Sequence, residues 1–215
     1  MRSLLLLALL LIAGAATAQD GGTLNCRLLN FQRGGGIKSL FVLDAEGKPT
    51  ECRLPSDSLS DPVRLPAEGR RILFRKEPDG EPVAVAEVPR DVSLALLLFL
   101  PSPDPKFAFK PVVLDGSDRA FPKGGSLVLN TYTKDVRFIM GEHKIQLQPG
   151  KSVHLERPEQ RNNFNMAGVT FQFETDKGWR AAYESMIRFP EGQRHLFVAF
   201  VDPKSKRPRI RAYRD

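Results

Sequence analysis

From Thr23 onward, apolar side chains return at every second position in short runs, and Gly, Pro, Asp and Asn interrupt these runs roughly every 8–12 residues. Leu24-Cys26-Leu28, Ile145-Leu147 and Val169-Phe171-Phe173 are examples. A period of two marks a strand with one buried face, and the three-and-four spacing of an amphipathic helix is almost absent. Turn signals at this interval point to an antiparallel sandwich or barrel. The runs predict strands near residues 23–31, 38–44, 49–54, 62–65, 70–77, 83–88, 92–100 and 106–114. A second set falls near 125–131, 135–140, 143–147, 152–156, 168–175, 178–188, 194–201 and 207–213. One run, "VSLALLLFL" (Val92 to Leu100), is apolar throughout and suits a strand covered on both faces.

The two sets resemble each other. "ILFRKEPDGEPVAVAEV" (Ile72 to Val88) parallels "VTFQFETDKGWRAAYES" (Val169 to Ser185), each an apolar-x-Phe strand, an acidic turn with Gly, and a second alternating strand. "VSLALLLFLPSPDPKFAFKPVVLD" and "RHLFVAFVDPKSKRPRIRAYRD" then close the halves, each as an apolar strand, a Pro-containing turn and a final strand ending in Asp. The expected architecture is all-β, with two tandem immunoglobulin-like antiparallel β-sandwich domains related by internal duplication. The first would run over 19–116 and the second over 117–215, joined at the polar, turn-rich "DGSDRAFPKGG".

Residues 1–18 read as a secretory signal peptide: Arg2, an apolar run from Leu4 to Ala16, then Ala16-Thr17-Ala18 in the A-x-A order of a cleavage site. The run is shorter than the ~20 residues that a membrane-spanning helix needs. The expected location is therefore periplasmic or extracellular, with no stable transmembrane anchor. Cys26 and Cys52 would then meet an oxidising compartment. Each alternates with apolar neighbours, so a structural disulfide between them is expected, contributing about 3 kcal/mol.

The chain carries 32 basic and 25 acidic residues, for a net charge of +7. Six of those cations, Lys204, Lys206, Arg207, Arg209, Arg211 and Arg214, fall in the last twelve residues, beside the single acid Asp215. In "PRIRAYRD" they alternate with Ile210 and Ala212, which gives a strand with one apolar and one cationic face. Such a strand guards a sheet edge against aggregation. It is also a candidate contact for a polyanion, since guanidinium groups bind carboxylate and phosphate in pairs. Acidic polysaccharide is the first partner class this implies, with other polyanions or an envelope protein behind it.

Catalytic and metal motifs find no support in the pattern. There is no G-x-S-x-G, no C-x-x-C, no H-x-x-x-H and no P-loop. "SDSLSD" (Ser56 to Asp61) and "DGSD" (Asp115 to Asp118) lack the spacing of a calcium loop and read as solvated turns. In "VRFIMGEHKIQLQPGKSVHLE" a hairpin around Pro149-Gly150 would set Leu147 opposite Val153 and Ile145 opposite Leu155. His143 and His154 would then point to opposite faces and could not share a metal ion. For the lone Trp179, a three-residue turn at "TDKG" pairs Glu174 with Gly178 and sends the indole into the core with Phe171 and Phe173. The reading is an exported, non-catalytic binding or structural module with no cofactor. The alternatives are a hydrolase whose site is assembled from scattered residues, and a carbohydrate-binding module.

Overall fold

The computed structural model describes residues 21–32 and 36–215, and the signal-like segment 1–18 lies outside the described residues. Sixteen strands and no helix are found among them. The first eight are β1 (Gly21–Asn30), β2 (Ser39–Leu43), β3 (Pro49–Arg53), β4 (Val63–Glu68), β5 (Arg71–Arg75), β6 (Pro82–Glu87), β7 (Leu94–Pro101) and β8 (Phe109–Asp115). The second eight are β9 (Ser126–Asn130), β10 (Val136–Met140), β11 (His143–Leu147), β12 (Ser152–Leu155), β13 (Met166–Thr175), β14 (Gly178–Arg188), β15 (His195–Val201) and β16 (Pro208–Arg214). Each lies within a few residues of a run expected from alternation.

The two halves follow one plan. The first half places its strands in the orders β4-β1-β7-β8 and β3-β2-β5-β6, the second in the orders β12-β9-β15-β16 and β11-β10-β13-β14. Adding eight to each index converts one half into the other. Every sheet is built from strands of a single half. All ladders are antiparallel except β1 with β7 and β9 with β15. In the first half the two layers are continuous as one eight-stranded sheet, joined by a single paired position, Glu68 with Arg71, around the tight Gly69-Arg70 turn. Arg70 takes a positive φ of 75° there, and its guanidinium fastens the turn to the carbonyl oxygens of Val88, Pro89 and Val92.

Three apolar cores follow from strand parity. Cys26, Leu28, Leu97 and Phe99 face the interior of the first half with Leu40, Cys52, Ile72 and Phe74. Val128, Phe197 and Ala199 face the interior of the second half with Phe138, Val169 and Phe171. The remaining residues of the same strands meet between the halves. Leu29, Leu96, Leu98 and Leu114 pack on Leu127, Leu129, Leu196, Val198 and Phe200. The β1-β7 layer and the β9-β15 layer are thus covered on both faces, which accounts for the solid apolar runs in β7, β9 and β15. Each Leu or Phe removed from water there contributes roughly 1.5–3 kcal/mol. The connection 116–125 belongs to this middle core, because Phe121 is buried in it.

A buried asparagine closes the first strand of each half. Asn130 Nδ2 donates to the carbonyl oxygens of Lys134 and Leu147, both at 2.9 Å, and its Oδ1 accepts from the Tyr132 amide. Its backbone N–H donates to Lys151 O, and its carbonyl accepts from Gly150 N–H. Asn30 repeats part of the arrangement, with Oδ1 accepting from Gln32 N–H and its own N–H donating to Pro55 O. At Asn130 these bonds overturn the expected hairpin. β11 pairs with β10, and β12 pairs with β9 in the facing sheet, so Leu147 and Ile145 are not opposite Val153 and Leu155. The Pro149-Gly150 turn carries the chain across the sandwich, and Asn130 satisfies the backbone groups that the crossing leaves open.

Candidate functional site

The cations of the C-terminal strand divide into three environments. Lys204, Lys206 and Arg207 stand on the turn from β15 to β16, all exposed. Asp202 orders that turn: its Oδ1 accepts from the Lys204 and Ser205 amides at 3.0 and 2.7 Å, and its carbonyl accepts from Lys206 N–H. The Ser205 N–H beside it holds the Asp202 carboxyl below the usual carboxylate range. Arg209 extends the group from the start of β16, with Nε 3.8 Å from Asp202. Lys204, Lys206 and Arg207 have no acidic partner among the described residues. Arg214 sits at the opposite end of β16, paired with His195 across the ladder.

Arg211 belongs elsewhere. Its guanidinium donates to the carbonyl of Phe31 in the first half and lies 4.3 Å from the Phe31 ring and 5.0 Å from the Phe200 ring. It is an interior clamp between the halves, and the expected polyanion set loses this member. The other end of the same seam is ionic. Arg27 binds Asp215 through two parallel bonds of 2.6 and 2.5 Å, and Arg194 approaches Asp215 at 3.6 Å while also pairing with Asp118. The tail that looked like one charged face is divided: Arg211 and Asp215 fasten the two halves, while the remaining cations stay exposed.

Cys26 and Cys52 lie in one core on facing sheets, as expected, but the structural disulfide is not formed and both are free thiols. The Cys52 thiol donates to the Leu40 carbonyl at 3.1 Å. Burial pushes both thiols up to about 12, far from a nucleophile's range.

Trp179 corrects another expectation. The turn between β13 and β14 holds two residues, so Thr175 pairs with Gly178 and Glu174 with Trp179, and a bulge at Ala182 returns Tyr183 to Phe171. Below the bulge the parity is reversed, and the indole lies on the outer face of its sheet. The Arg137 guanidinium covers it at 4.0 Å, held in turn beside Gln146, which donates to Asp135. With one face capped in this way, the indole is not a bare platform for a sugar ring.

The histidines do not converge on a metal site. His143 lies against Glu142 in one sheet and His154 is on the facing sheet, near enough for their charges to interact, so they are not on opposite faces of one hairpin as expected. His195 is fully buried between Phe189 and Phe197. Among the described residues no group of three or more His, Cys, Asp or Glu side chains is gathered as metal ligands. "SDSLSD" lines a cavity of about 760 Å³ with Lys38, Glu51 and Arg53. Within it Ser60 is structural, because its hydroxyl accepts from Leu28 N–H and donates to the Asp61 carbonyl. Sequence reasoning missed Asn30 and Asn130, whose only signal was "LN" closing the first strand of each half. No protein-family model matches this chain, and a comparison with characterised proteins finds no relative for it.

Proposed function

We propose that the chain is an exported, non-catalytic binding module, built by duplication of one sandwich, that offers the ordered cationic turn Lys204, Lys206, Arg207 and Arg209 to a polyanion. The observation that carries this is the turn itself. Three exposed cations without acidic partners stand on a backbone pinned by Asp202, so binding an anion costs little ordering of the main chain. Solvated Lys and Arg attract a polyanion over a Debye length of roughly 8–10 Å at physiological salt. The leader-like residues 1–18 motivate export, and in an oxidising compartment Cys26 and Cys52 would close the bridge that the reduced form leaves open. Mass spectrometry of never-reduced peptides from the native host tests both points.

Replacing Lys204, Lys206 and Arg207 with Gln removes three charges and touches no core residue. Elution from heparin should move to lower salt with the melting temperature unchanged, and a parallel DNA resin separates sulfated polysaccharide from nucleic acid. Co-elution of wild type and triple variant on both resins would end the reading. Arg211→Gln provides the contrast: it should lower the melting temperature and leave heparin elution nearly in place.

A further inference from the structure

We infer that the segment Glu184–Arg188 of β14 is a self-complementary edge, through which two copies of this chain pair antiparallel about a two-fold axis at Met186. This inference does not depend on the polyanion reading.

β14 is the longest strand described and pairs with β13 along one side only, so its other side presents N–H and C=O groups that no strand takes up, except that the Arg188 carbonyl lies toward the His195 ring. The other outer strands are shorter or carry protection. β3 begins on Pro49, β6 on Pro82, β8 contains Pro111, β11 has five residues with Lys144 among them, β12 has four, and β16 is crowded with Arg. In β14 the bulge at Ala182 disrupts the Gly178–Ala182 half, while Tyr183 to Arg188 runs regularly against β13. On the outer face of that regular half lie Glu184, Met186 and Arg188, all exposed. Met186 remains 48% exposed, and opposite it β13 has Gly168, so no neighbouring side chain covers it there. The other large exposed apolar residue, Phe164 at 73%, lies two residues before Met166, which pairs with Arg188 at the same end of the hairpin.

Charge selects the occupant. Glu184 and Arg188 share a face four residues apart, about 13 Å along a strand, and are too distant to pair with each other. Neither has an ionic partner among the described residues. An antiparallel second copy centred on Met186 brings Glu184 opposite the partner's Arg188, twice over, with Met186 on Met186 between them. Cross-strand opposite charges stabilise a ladder, and the same patch on both copies closes the assembly at a dimer. The two outer sheets would become one continuous sheet of eight strands.

Sedimentation equilibrium of the full exported chain, from roughly 10 µM to 1 mM, should show a monomer–dimer equilibrium. Glu184→Arg and Arg188→Glu alone should each weaken it about tenfold or more, and the double swap should recover wild-type affinity within about threefold, with melting temperatures alike. As a second readout, Met186→Cys should form a disulfide-linked dimer on addition of an oxidant, while Lys177→Cys should not. A wild type that stays monomeric throughout, a double swap no better than the single variants, or equal cross-linking at Lys177→Cys would each overturn the proposal. So would a monomer that uses this edge only with a different protein.

Discussion

His195 is a neutral imidazole by necessity. Burial first, and the nearby Arg214 charge second, lower it to about 4, and the Arg188 carbonyl beside the ring offsets only part of this in the packed site between Phe189 and Phe197. Unfolding lets it bind a proton anywhere below its ordinary value near 6.5. Stability is therefore complete above pH ~6.5 and declines as pH falls from there toward 4, by at most about 3 kcal/mol. His195→Phe should flatten that acid limb of a denaturation-versus-pH curve. Asn130 sets a second test at this scale. Asn130→Ala leaves the buried Leu147 carbonyl and the half-buried Lys134 carbonyl without their donor, and about 1–3 kcal/mol should be lost in urea unfolding. Asn130→Asp should be worse, since a carboxylate cannot donate to either oxygen.

At the level of elements, the existence and order of all the strands were legible in the sequence, because period-two burial is a local property of the chain. Turn lengths and crossings were not. "TDKG" reads equally well as a two- or a three-residue turn, and the difference, compounded by the Ala182 bulge, moved Trp179 from core to surface. "QPGKS" reads as a hairpin turn, yet Asn130, more than fifteen residues upstream of the second strand's contacts, decides that it joins two sheets. The solid runs in β7 and β15 place Leu98 and Val198 in the middle core. Leu98→Ala should cost about 2–5 kcal/mol, as in any well-packed interior, although its side chain contacts the opposite half.

For the whole molecule, the middle core makes the halves mutually dependent. Residues 20–116 produced alone would expose Leu29, Leu96, Leu98 and Leu114 as one apolar face, and 117–215 would expose Leu127, Leu129, Leu196 and Val198. Each half by itself should aggregate or bind a hydrophobic dye, whereas the full chain should unfold in one calorimetric transition. Two separated transitions would show that the seam contributes little. Arg27→Ala should lower the single transition without splitting it, because Asp215 would keep only its longer contact with Arg194.

What the sequence determined by itself was the local and the compositional. Alternation fixed the strands, the repeated strand-turn-strand patterns anticipated halves of one plan, and apolar continuity marked the strands covered twice. The tertiary structure alone decided what each polar residue does. Arg211 and Arg214 are two charges of one tail in the sequence, but one lies over the touching Phe31 and Phe200 rings and the other closes the far end of β16. The cysteines share a core as parity implies, yet they are free thiols there, with the Cys52 thiol donating to the Leu40 carbonyl. Burial preference is written residue by residue along a strand, whereas a charge or a hydrogen bond takes its meaning from a partner that only folding brings near.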